Sequence, residues 1–188
     1  TLERVFQLNS RYDARVNGED ASLRNVEWSL KSMQWDNLFN YGESNSINFE
    51  KLNGVVGVFG KNYSGKSSVI DSALYTIYNS ISKNNRKNLN IINQNKQAGC
   101  GRVEIDIDGK AYIIERKSEK YKKKLHGEET DEAKTDVEFS MIDPATGEET
   151  SLNSLDRNGT DKEIRKIFGT IDDFLLTSMS SQMGAMTF

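Results

Sequence analysis

Residues 54–68, GVVGVFGKNYSGKSS, leave few folds open to this chain. Gly60 to Ser67 spell G-x-x-x-x-G-K-[ST], a loop whose glycines let the backbone wrap a phosphate closely enough for several N–H groups to face it. Such a loop works between a strand and a helix, and both flanks read that way. Val55, Val56, Val58 and Phe59 form an uncharged apolar run, the pattern of a central parallel strand covered on both faces. Val69, Ile70, Ala73, Leu74, Ile77 and Ile81 recur at helical spacing, which predicts a helix with its positive end at the phosphates. Lys66 stands where a long cation reaches the β- and γ-phosphates, and the Ser67 hydroxyl suits Mg²⁺. A glycine turn that merely packed would need neither. The expected nucleotide contacts are Gly60, Lys61, Asn62, Tyr63, Ser64, Gly65, Lys66, Ser67 and Ser68.

The chain's 188 residues are enough for one domain with a real core. Hydrophobic residues make up 36% and the mean hydropathy is −0.67, which predicts long exposed loops. A net charge of −3 gives no overall attraction to nucleic acid, so any DNA-facing surface has to be a local patch. Cys100 is the single cysteine, which excludes an internal disulfide. No apolar run reaches membrane-spanning length and no secretory signal is visible, so the expectation is a cytoplasmic segment of a longer protein.

Residues 1–28 read as an upstream connector with a short amphipathic helix near Leu2–Leu8, broken at Asn17-Gly18. Alternation over Ser29–Trp35 and a second run at Ser46–Glu50 predict two short strands around a turn-rich loop. Beyond the P-loop helix, 82–101 carries Lys83, Arg86, Lys87 and Lys96 with no acidic residue. That suits either a mobile loop leaning on a phosphate backbone or a solvated connector. Val103–Asp108, the Asp108-Gly109 turn and Ala111–Arg116 predict an antiparallel hairpin. The strict alternation argues against Asp106 or Asp108 as the acid that ends a buried catalytic strand. Lys117–Thr135 sets a basic block around Tyr121 beside an acidic one, which reads as an exposed hairpin tip, ordered or disordered. His126 there has no ligating neighbour in sequence. Val137, Phe139 and Met141 with 149–152 predict a second hairpin. Thr160–Glu163 resembles a capping box opening a helix that Gly169 closes, and Phe174 to Gln182 reads as an apolar strand ending in a glutamine.

This order of parts resembles the N-terminal half of the ATPase head in SbcC-type DNA double-strand-break repair ATPases, relatives of the SMC proteins and of phage recombination endonuclease subunits. The family loop reads G-x-N-G-[SA]-G-K-[ST]. Gly60, Asn62, Ser64, Gly65, Lys66 and Ser67 fit it, while Tyr63 replaces a glycine. The resemblance covers about 29–188 and implies an α/β fold: a P-loop ABC-ATPase-like lobe, its mixed sheet carrying an antiparallel β subdomain beside the P-loop core. It also implies ATP and Mg²⁺ as cofactors, with Lys66 and Gln182 catalytic and Ser67 and Gln182 at the metal. Asn37 matches the family's asparagine before the second strand, and Phe39 stands where relatives often carry a basic residue. The implied partners are double-stranded DNA, an SbcD-like nuclease subunit and a second head in an ATP-dependent head-to-head homodimer, with no membrane. The signature serine and Walker B acids would come from a C-terminal lobe beyond a coiled coil, so these residues alone should bind ATP but hydrolyse it poorly.

Three other readings share the loop. One is a RecF- or SMC-like or phage-defence coiled-coil ATPase without a nuclease. A P-loop kinase is disfavoured by the antiparallel hairpins and the lack of a lid arginine cluster. The third is a nucleotide-gated DNA-binding module using Lys83–Lys96 and Lys120–Lys124.

Overall fold

A computed structural model describes Arg4 and residues 27–62, 64–82, 88–125 and 128–178. Six strands form one sheet: β1 (Trp28–Asp36), β2 (Asn45–Asn48), β3 (Ala98–Ile107), β4 (Lys110–Leu125), β5 (Glu128–Ile142) and β6 (Glu149–Ser151). Their order is β2-β1-β3-β4-β5-β6 and every pairing is antiparallel. Three α-helices with both ends among the described residues accompany them: α1 (Lys66–Tyr78), α2 (Arg157–Phe168) and α3 (Ile171–Thr177). Among the described residues no helix is long and apolar enough to cross a membrane.

The predicted alternation is visible in β3, where Val103, Ile105 and Ile107 are buried while Arg102 is exposed and Glu104 and Asp106 are half-covered. Asp108 and Gly109 both take positive φ, 51° and 78°, the two-residue turn whose twist suits a hairpin. α1 lies over β3 and β4, and Gly101 is what permits the approach. A Cβ there would overlap the Thr76 hydroxyl, so any other residue would push the helix off the sheet. The core joins Met33, Trp35, Leu74, Ile77, Val103, Ile105, Ile114 and Phe139 to Ile164 and Phe168 of α2.

A fully buried arginine ties these layers together. Arg116 on β4 donates through Nε to the Thr76 carbonyl (2.9 Å), and through Nη2 to the Ile77 carbonyl (3.3 Å) and to Asp161 on α2 (2.6 Å). A cation here answers the negative end of α1, and Asp161 offsets part of its desolvation. Burial pulls the Arg116 pKa below its ordinary value, opposed by Asp161.

The structure corrects several expectations. Residues 55–59 form no strand: Val56, Val58 and Phe59 are 52%, 63% and 93% exposed. A parallel strand exists only against parallel neighbours, and every paired strand among the described residues is antiparallel and engaged elsewhere. The 82–101 stretch is not a loop throughout, because Ile91 and Ile92 are buried and Ala98–Gly101 open β3. The charge-dense stretch is not disordered on either side of its turn: β4 and β5 pair as far as Leu125↔Glu128, and their two charge blocks face each other. α2 starts at Arg157 instead of Thr160, capped by Asp156, whose carboxylate accepts the Gly159 N–H at 2.7 Å.

The apolar run from Phe174 begins inside α3, not in a strand. Thr170 and Asp173 form a reciprocal capping box that sets the helix. The helix expected near Leu2–Leu8 (Arg4 excepted), Tyr63, Lys83, Arg86, Lys87, His126 and Gln182 lie outside the described residues.

Candidate phosphate-binding site

The start of α1 has no side-chain cap on its first N–H groups. Gly65 is the residue before the helix, at φ 94°, a left-handed conformation that a side chain would strain. It supplies no side-chain cap, and no acidic residue sits in the first turn of α1. Helix-start N–H groups normally find a cap, water or an anion, and here the sequence provides no cap. A Cβ on Gly60 would meet the Ser64 hydroxyl at 2.8 Å, so the loop is as tightly wound as the motif requires.

Lys66 folds back across this loop, with its Nζ donating to the carbonyls of Gly60 and Lys61, both at 2.8 Å. That parks the ammonium at the loop's own mouth, on neutral acceptors which a phosphate oxygen would displace. The Ser67 side chain is exposed one residue into α1, while Ser68 donates its N–H to Gly65 at 2.9 Å. Among the described residues no group of His, Cys, Asp and Glu is arranged to hold a metal. A Mg²⁺ ion here would rest on phosphate oxygens and the Ser67 hydroxyl, which suits an ion that keeps most of its waters. The residues described fit a Mg–nucleotide in their chemistry.

Gly60, Lys61, Asn62, Ser64, Gly65, Lys66, Ser67 and Ser68 are therefore brought together at one helix start. The β1–β2 loop joins them. Tyr41 donates its hydroxyl to the Gly65 carbonyl at 3.0 Å, and a Cβ on Gly65 would meet the Asn40 amide at 2.5 Å. Neither residue belongs to the motif. The signal for Tyr41 was available in the turn-rich stretch 37–43, but no spacing rule points from there to Gly65.

Asn37, at φ 54°, shapes that loop through its backbone: its N–H donates to Gly42 (2.8 Å) and its carbonyl accepts from Asn93 (2.8 Å). Its buried Oδ1 has no hydrogen-bond partner. Phe39 also takes positive φ, 54°, and donates its N–H to Ile91 at 2.6 Å. Glu43 pairs with Lys96 at 2.7 Å, and that hydrogen bond is the main cause of its lowered carboxyl pKa. Burial raises the thiol pKa of Cys100, which argues against a reactive thiolate there.

The ribbon's lysines are mostly spoken for. Lys122 and Lys124 pair with Glu129 at 3.4 and 3.5 Å, and Lys123 with Glu132 at 3.3 Å. Lys120 instead reaches the carbonyls of Asn93 and Gln94, at 2.9 and 3.2 Å.

Comparison with known proteins gives a family and a context. A family profile described as an AAA domain matches residues 32–184. An uncharacterized protein of Acanthamoeba polyphaga mimivirus is 31% identical over 166 residues, covering 86% of this chain and 12% of that protein. The SbcC component of the nuclease SbcCD of Clostridium acetobutylicum is 28% identical over 151 residues, covering 77% of this chain and 12% of that protein. The DNA double-strand break repair Rad50 ATPase of Sulfolobus acidocaldarius is 31% identical over 74 residues, covering 39% of this chain and 8% of that protein. Among solved structures, the ATP-bound recombination mediator protein RecF of the RecFOR pathway aligns at 17% identity and a TM-score of 0.41, over 57% of this chain and 28% of that one. The chain thus spans 12% or less of the curated relatives named here.

Proposed function

Because the chain belongs to the AAA domain family, in its SbcC/Rad50-like ATPase head region, we propose that it is the ATP-binding lobe of a DNA-repair ATPase. The observation that carries this is the uncapped start of α1, opening from left-handed Gly65 with the Lys66 ammonium folded over the loop. ATP with Mg²⁺ sits along Asn62–Ser68, the N–H groups and Lys66 taking the phosphates and Ser67 orienting the metal. Magnesium bound to the phosphates supplies neutralisation of their charge. Gln182 completes the metal side in this reading, which takes residues 29–188 as one lobe and 1–28 as a connector.

Hydrolysis then belongs to the longer protein, where a second lobe adds the acids and the signature serine, and two heads close on two nucleotides. Double-stranded DNA and an SbcD-like nuclease are the partners this reading assigns, in the cytoplasm. The family resemblance and the similarity to a component of the Clostridium SbcCD nuclease support that assignment. If the full-length protein captures no nuclease subunit, the partnerless RecF- or SMC-like reading takes its place.

Lys66→Ala tests the core of the proposal. Removing a charge-assisted contact to phosphate weakens binding of a fluorescent MgATP analogue about tenfold or more. The unliganded melting temperature should stay the same, because the exposed ammonium bonds only to loop carbonyls. A Lys66→Ala protein that binds the analogue like wild type overturns the assignment.

A further inference from the structure

Tyr41 precedes Gly65 by 24 residues and lies outside every motif, yet its hydroxyl holds the Gly65 carbonyl at 3.0 Å. That oxygen already accepts the Ser68 N–H at 2.9 Å, so the phenol is a second donor on the carbonyl at the turn into α1. In a planar trans peptide the Gly65 C=O and the Lys66 N–H point in opposite directions. Holding the oxygen therefore fixes the direction of the first helical N–H, one of the free donors of α1.

Tyr41 is itself held firmly. Its ring meets Trp35 edge-on, with centroids 5.3 Å apart. Its carbonyl accepts the Asn93 side-chain amide at 3.0 Å, and the Asn93 carbonyl in turn accepts Lys120 from the β4–β5 ribbon at 2.9 Å. A donor held by both Trp35 and Asn93 gains from its hydrogen bond without a second loss of side-chain freedom. Asn40 leans on the same glycine from the solvent side.

From this geometry we infer that Tyr41 is a positioning residue for the phosphate loop, its hydroxyl setting the Gly65–Lys66 peptide so that the loop amides converge on the phosphate chain. The inference rests on the nucleotide-binding reading above. It goes beyond that reading by placing the control of the cradle in the β1–β2 loop and, through Asn93 and Lys120, within reach of the ribbon. A preset loop binds more tightly because less ordering is left to do.

The test compares wild type, Tyr41→Phe and Asn40→Ala by titration with MgATP and with inorganic tripolyphosphate, alongside melting without ligand. Tyr41→Phe keeps the ring against Trp35 and removes one hydrogen bond. It should weaken both ligands by the same factor, about three- to tenfold, at an unchanged unliganded melting temperature. Asn40→Ala, on an exposed side chain, should shift both in the same direction.

Loss for ATP alone would put the phenol against the base and overturn the inference. A lower melting temperature with wild-type affinity for both ligands would make Tyr41 structural only, and would overturn it equally. If wild type binds and Lys66→Ala does not, while both variants match wild type, the positioning role fails and the nucleotide site stands. If wild type binds neither ligand, the nucleotide reading fails and takes this inference with it.

Discussion

At the scale of single residues, the motif names the candidate phosphate contacts, whereas the buried polar anchors come only from the folded chain. Arg116 falls on the inward parity of an alternating strand after Tyr112 and Ile114, so the pattern marks the position. Nothing in the pattern says that an arginine there meets Asp161, 45 residues on. Tyr78 is similar: helical spacing puts it near the core, but only packing shows its hydroxyl donating to the Phe168 carbonyl at 3.2 Å. Burial, with a smaller contribution from Asp173, raises the Tyr78 phenol from its ordinary 10.0 to about 12. The folded state therefore keeps a proton that the unfolded chain loses between pH 10 and 12. The stability tied to that proton is whole below pH 10 and drains away as pH rises through that window, by at most about 1.4 kcal/mol per pH unit. Tyr78→Phe cannot lose it. Urea unfolding at pH 9 should show wild type more stable than Tyr78→Phe, by about 1 kcal/mol for the hydrogen bond. By pH 11 that gap should narrow or reverse, and a constant gap would mean that the phenol is not shifted.

Among the elements, strands with strict alternation are legible in the sequence, as is the helix that Gly169 closes, its start displaced to Arg157; α3 is not. β3 and the start of β4 appear where period-two burial and an Asp-Gly turn place them, because both signals are local. α3 shows the opposite case. Its apolar residues, read as a run, suggested a strand, but Ile171, Phe174 and Leu175 share one helical face against the core. The decision lies with Thr170, whose hydroxyl accepts the Asp173 N–H while the Asp173 carboxylate accepts the Thr170 N–H, at 3.2 and 3.0 Å. Thr170→Ala should cost about 1 kcal/mol and fray a helix of 7 residues. Trp28, stacked on Phe174 with ring centroids 6.0 Å apart, should then report the loosening as a change in emission before global unfolding. An unchanged Trp28 signal and unchanged stability would show that packing alone holds α3. The ribbon's pairing is hidden for a related reason: opposite charge blocks adjacent in sequence look solvated, and only the register reveals that they lie across from each other. Exposed pairs of that kind add little stability.

For the whole molecule, the antiparallel strands and the helix after the phosphate loop can be read from sequence, and the strand expected before that loop is the part that needs more than its own residues. A strand is defined by partners, and an apolar run carries no record of whether those partners are present. All residues from Lys51 to Asn62 are exposed, including Val55, Val56, Val58 and Phe59. Covering side chains of that size is worth about 1.5–3 kcal/mol each, and this chain leaves that stabilisation unrealised next to its binding loop. An exposed apolar stretch of this kind marks a surface meant to be covered. Under the reading proposed above, strands of a second lobe would be what covers it. Val58→Asp separates the two states. In this chain, where Val58 is 63% exposed, the substitution should change unfolding free energy by less than about 0.5 kcal/mol and reduce binding of an apolar dye. In the longer protein the same carboxylate would enter a sheet interior without a partner, costing several kcal/mol and disturbing MgATP binding a few residues downstream. A large loss of stability already in the 188-residue chain would show that 55–59 is buried here after all, and equal tolerance in the longer protein would show that no strand pairs with it.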